Sequence, residues 1–120
     1  PYIIHNIPRD SVVYTGTHDN TPVKGWFMQD ATYEERERLT EYLGYKPETD
    51  EIPEIFVRLA MMSRADTAIV PVQDILGLDS SARMNRPGTD EGNWRWRMQE
   101  GMITEKTAEY LLKLVKVYGR

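Results

Sequence analysis

Two short runs of strand-forming residues, SVVYTGT at 11–17 and TAIVPV at 67–72, set the tightest limit on what this chain can fold into. Val, Ile, Tyr and Thr dominate both runs. Turn formers follow the first: Gly16, Asp19, Asn20 and Pro22. The second is almost continuously apolar, the pattern of a strand covered on both faces of a parallel sheet. Pro71 has no N–H to give a ladder and marks a strand end or an irregularity. A helical stretch lies between the runs, which is the βαβ arrangement of a parallel sheet. Two strands close no sheet and leave long unpaired edges. The chain is therefore expected to be part of an α/β domain whose other strands lie elsewhere.

The helices are read from caps and periodicity. DATYEERERLTEYL at 30–43 carries a capping box in Thr32 and Glu35 and a stop at Gly44. Its apolar content is thin (Leu39, Tyr42 and Leu43), which predicts a surface helix. After a polar loop, KPETDE at 46–51, Pro53 suits the first turn of a second helix. There Ile52, Phe56, Leu59, Ala60 and Met62 form one apolar stripe, and Arg64-Ala65-Asp66 breaks it. Residues 73–93 are long and rich in Gly, Asp, Ser and Asn; loops of this length are usually functional or contain a short helix. In the last helix Thr104 is the cap and Gly119 the end. Ala108, Leu111, Leu112, Val115 and Tyr118 are its expected core-facing stripe.

Residues 1–120 are read as one unit, a domain or a piece of one. Hydrophobic residues at 40% and charged residues at 28% place it among globular rather than disordered chains. The net charge of −4 comes without a basic stripe, so a nucleic-acid partner has no electrostatic support. Without cysteine there is neither a disulfide framework nor a thiol nucleophile. No apolar run reaches the length of a membrane span. Pro1-Tyr2-Ile3-Ile4-His5-Asn6 lacks the layout of a signal peptide. A soluble cytoplasmic protein is the expectation. The chain opens on Pro1 rather than Met, which fits a piece of a longer protein.

Chemistry concentrates where the two strands end. His18, Asp19 and Asn20 follow the first, and Gln73 and Asp74 follow the second. In α/β barrels catalytic side chains sit at such strand ends. Alone, the first group reads as a turn with a core histidine. That both strands deliver an Asp raises the functional reading to parity. Asp74 has a bland reading too, as a cap before Leu76. Trp26, Trp94 and Trp96 lie near loops, where aromatic faces either stack on sugar rings or fill a core; the core reading is favoured for at least two. Arg83, Arg86, Arg95 and Arg97 flank the long loop. Pairing with Asp79, Asp90 and Glu91 is favoured over contact with substrate hydroxyls. His5 and His18 are the only histidines and no metal-ligand spacing exists. With no phosphate loop or GxSxG elbow either, no metal or cofactor is expected.

Five blocks in order carry a family resemblance: VVYTGTHDN, GWF, AIVPVQDILGL, ARMNRPGT and GNWRWR. Together they resemble the C-terminal signatures of the amylomaltases, 4-alpha-glucanotransferases of glycoside hydrolase family 77. The resemblance implies a (β/α)8 barrel, of which this chain would hold the last two βα units and the terminal helix. It implies a retaining reaction on α-1,4-glucans and maltooligosaccharides, in which a covalent glycosyl-enzyme forms and is resolved. By motif match Asp19 would be the carboxylate that stabilises the transition state. His18 would contact substrate, and Asn20 is read as a second substrate-binding residue. The nucleophile and the acid/base belong to blocks absent here, so the chain alone is expected to be inactive and prone to self-association. Where many members of the family have a second acidic residue, this chain has Thr21 in HDNTP, which touches the loop and leaves Asp19 in place. The alternative is a non-catalytic carbohydrate-binding or interaction module derived from such a barrel.

Overall fold

In the computed structural model, which describes residues 3–120, strands β1 (Val12–Tyr14) and β2 (Thr67–Ile69) pair in parallel. Val12 lies opposite Thr67, Val13 opposite Ala68 and Tyr14 opposite Ile69. Pro1 and Tyr2, part of the signal-peptide reading, lie outside the described residues. Side chains alternate across a strand, so the two faces have different fates. Val13 joins Ala60 and Ala65 in a buried cluster, with Ile4, Ile7, Ala68 and Val70 packed around it. On the other face Val12, Tyr14 and Ile69 are 46%, 50% and 46% exposed. The expectation of a second strand covered on both faces is corrected accordingly: only the Ala68 face is covered.

Both strands are shorter than their apolar runs. The expected strand at 11–17 pairs only from Val12 to Tyr14. TAIVPV pairs only to Ile69, because Pro71 caps a one-turn helix, α4 (Val72–Ile75). Proline cannot extend the ladder, and its fixed φ suits a helix start instead.

The helices follow their caps closely. A short helix α1 (Val23–Gly25) runs directly into a wider π turn over Trp26–Asp30. Helix α2 (Tyr33–Leu43) has the complete Thr32–Glu35 capping box and ends at Gly44, whose φ of 83° is left-handed. Glycine reaches that conformation without steric cost. None of its residues is buried, as expected of a surface helix. Helix α3 (Ile52–Met62) has Pro in its first turn and buries Ile52, Pro53, Val57 and Ala60. Val57, not Met62, completes that face; Met62 is 44% exposed. Helix α5 (Glu105–Tyr118) begins at Thr104 and stops at Gly119.

The expected stripe of α5 needs rotation. Leu114 is fully buried, whereas Ala108 and Leu112 are exposed. Thr107, Tyr110, Leu111, Leu114, Val115 and Tyr118 form the inward side, at spacings of three and four. That face packs on α3. Polar ties fix the docking: an Arg58 guanidinium N–H donates to the Tyr118 hydroxyl at 3.1 Å. Arg120 donates to the carbonyls of Met61 and Ser63 at 2.7 and 2.8 Å, closing the C-terminal end of α3. A second core, Val23, Phe27 and Ile52 with Trp26, Leu39 and Phe56, ties α1 to α3. No helix among the described residues is long and apolar enough to cross a membrane.

Candidate active site

Both predicted polar groups stand just beyond the C-terminal ends of β1 and β2, and their roles differ. Asp74 is 2% exposed. One carboxylate oxygen accepts the Thr15 hydroxyl at 2.6 Å and the other accepts the Val23 N–H at 2.9 Å. Burial pushes its carboxyl above the usual range, and the two hydrogen bonds pull against that shift. Asp74 thus staples the end of β1 to the start of α1 across the chain from α4. Gln73 is also buried and donates to the Ala82 carbonyl at 3.2 Å. Asp74 is structural, though not as the expected cap before Leu76: its partners are Thr15 and Val23.

Asp19 sits differently. It is half-exposed and lines an open cleft of about 640 Å³ with Thr15, Thr21, Asp30 and Arg83. Its turn is built locally. The Asn20 side-chain oxygen accepts from the Thr17 N–H at 2.8 Å and from the Thr17 hydroxyl at 3.0 Å. Asn20 therefore acts as a turn former, the ordinary use of Asn in a loop. The same residue lines a smaller cleft of about 160 Å³ beside His18, Gln73 and Asp74. The Asp19 carboxylate has two close neighbours: His18 Nε2 at 3.3 Å and the Asn85 amide at 2.6 Å. The His18 ring also lies against Trp94, with centroids 5.1 Å apart.

Asn85 comes from the long loop after β2, so the two strand-end loops meet at Asp19. Arg83 braces the meeting. Its guanidinium donates to the Asp19 carbonyl at 2.6 Å, the Thr21 hydroxyl at 2.8 Å and the Asn85 carbonyl at 2.8 Å. The Asn85 N–H donates to the His18 carbonyl at 3.0 Å. Ion pairing of Arg83, Arg86, Arg95 or Arg97 with Asp79, Asp90 or Glu91 is the expectation that fails. Among the described residues no such pair forms. Asp79 instead caps its own turn through Ser81, and those bonds hold its carboxyl below the usual range. Sequence reasoning missed Asn85 altogether. Its signal was membership of the ARMNRPGT block, which has no periodicity or charge pattern to betray a contact.

The tryptophans separate by position. Trp26 packs against Phe27 and Phe56, a core role of the kind expected of at least two of the three. Trp94 is 56% exposed and holds a φ of 59°, left-handed for a bulky residue. Such strain costs on the order of 1–2 kcal/mol. The Trp94 N–H donates to the Met84 carbonyl at 2.6 Å, which pins this conformation beside His18.

Known proteins share both sequence and fold with this chain. A 4-alpha-glucanotransferase of Aquifex aeolicus (strain VF5) is 44% identical over 119 residues, which are 99% of this chain and 24% of that protein. A chloroplastic/amyloplastic 4-alpha-glucanotransferase of Oryza sativa subsp. japonica is 45% identical, over 99% of this chain and 20% of that protein. The solved structure of an amylomaltase from Streptococcus agalactiae in complex with acarbose superposes with a TM-score of 0.88 and 34% identity. It covers 98% of this chain and 23% of its own. The chain thus spans about a quarter or less of the length of these relatives. Its fold is that of a C-terminal portion of an amylomaltase, mostly helical with a small parallel sheet, as the closing units of a (β/α)8 barrel are. The model of glycoside hydrolase family 77, described as 4-alpha-glucanotransferase, matches residues 1–104, and the chain belongs to that family.

Proposed function

We propose that the protein carrying this chain transfers α-1,4-glucan segments to glucose or maltooligosaccharide acceptors with retention, and that this chain contributes one carboxylate to the reaction. The carrying observation is Asp19: half-exposed, open to a cleft at the end of β1, and flanked by two donor-bearing side chains. In glycoside transfer the sugar develops positive charge at its anomeric centre. A fixed carboxylate beside that centre favours the charged transition state over the neutral ground state. His18 stands next to it as a donor to sugar hydroxyls, and Asn20 shapes the turn that presents both. The exposed ring of Trp94 offers an apolar face beside them. The acarbose complex of the Streptococcus agalactiae relative supports an oligosaccharide as the ligand.

The attacking carboxylate and the acid/base are assigned to the parts of the relatives this chain does not span. We place residues 1–120 within a single catalytic domain, in a protein of the cytoplasm. Incubating the full-length protein with maltotriose tests the reading. Glucose and longer maltooligosaccharides are expected together, the signature of transfer. Binding of the oligosaccharide without any redistribution of chain length would instead favour a carbohydrate-binding module.

A further inference from the structure

We infer that Asn85 is a positioning residue for Asp19, with Arg83 as the anchor that holds the two loops in register; this rests on the catalytic reading of Asp19 given above. An ionised carboxylate only accepts hydrogen bonds, so the Asn85 atom 2.6 Å from Asp19 Oδ1 is its amide nitrogen. His18 Nε2 approaches the same oxygen at 3.3 Å. Asn85 therefore bonds Oδ1 with His18 close to the same oxygen, and Oδ2 carries no hydrogen bond among the described residues. One oxygen is fixed and the other is left for the substrate.

Asn85 is itself held at both ends of its backbone. Its N–H donates to the His18 carbonyl, and its carbonyl accepts from Arg83. Arg83 spends the rest of its fork on the Asp19 carbonyl and the Thr21 hydroxyl. A planar guanidinium fixes direction as well as distance, which an ammonium does not. The arrangement ties the loop of β1 to the loop of β2 at the one carboxylate between them. An unbraced carboxylate samples rotamers, and misplacement by about 1 Å can cost about 100-fold in rate.

The test uses the full-length protein, with turnover and maltooligosaccharide binding measured separately. Asn85→Ala is expected to lower kcat about 10- to 100-fold while KM changes by less than about threefold. In an Asp19→Asn background the same change is expected to remove nothing further, because a residue acting through Asp19 has nothing left to position. Asn85→Asp keeps the volume and removes the donor, so kcat falls there too, and thermal melting shows whether each variant is folded. Losses from Asn85→Ala and Asp19→Asn that multiply independently would overturn the inference. So would full activity of Asn85→Asp. If Asp19→Asn alone leaves turnover intact, the catalytic reading of Asp19 fails first and takes this one with it. If Asp19→Asn abolishes turnover and Asn85→Ala does not lower it, only the positioning role is lost.

Discussion

Asp74 and Asp19 show how one residue type at the same place on two strands takes opposite roles. Asp74 is sealed in, with both oxygens occupied by Thr15 and Val23. Removing it strands a part-buried hydroxyl and a buried N–H, so Asp74→Ala is expected to lower stability by about 2–3 kcal/mol in urea denaturation. Asp74→Asn keeps an acceptor for Val23, and Thr15 can turn its hydroxyl to accept; a smaller loss is expected. The raised carboxyl also has a pH sign. The folded state holds this proton more tightly than the unfolded one. Its contribution is therefore full below the unfolded value and fades as pH rises through the folded value. Asp74→Asn removes that dependence, which a pH series of melting curves reads directly. His18 and Asp19 stood out because they follow the strand-forming run at 11–17 at once. Arg83 and Asn85 were not, since their contacts reach back 64 and 66 residues to Asp19, and no local pattern encodes that.

Gly25 limits how the short helix α1 packs. A β-carbon there would collide with Ser80 Oγ, and would stand 2.7 Å from the Ser80 backbone N and 2.8 Å from Thr21 Cγ2. Its φ of −64° is ordinary, so the need is for space and not for a left-handed turn. Gly25→Ala is expected to destabilise by about 1–3 kcal/mol, seen as a lower denaturation midpoint, because backbone cannot yield as a side-chain tip can. The caps at Thr32, Gly44, Thr104 and Gly119 were legible because capping is written in adjacent residues. Which face of α5 is inward was read one residue out of phase. Leu111, Leu112, Leu114 and Val115 offer two overlapping stripes, and only docking on α3 chooses between them. Strand length was overread for a related reason. Composition marks where a chain favours extension, whereas pairing ends where the partner turns away, here at Pro71.

At the level of the whole chain, the parallel βαβ arrangement is legible in the sequence, from two β-rich runs and the helical stretch between them. What covers the sheet is not, because strand composition does not say which elements pack over each face. Val12, Tyr14 and Ile69 form an apolar face left open, and both strands keep an unpaired edge. The isolated chain is therefore expected to self-associate in sedimentation experiments; a monomer that melts sharply would contradict this. The same chain alone is expected to show no glucan transfer. The most direct measurement on the account as a whole is turnover of the full-length protein carrying Asp19→Asn, beside the wild type, with binding of a maltooligosaccharide measured calorimetrically on both. A drop in kcat of at least about 100-fold with affinity nearly unchanged is the result predicted for a charge that acts at the transition state. Wild-type turnover in that variant would contradict it.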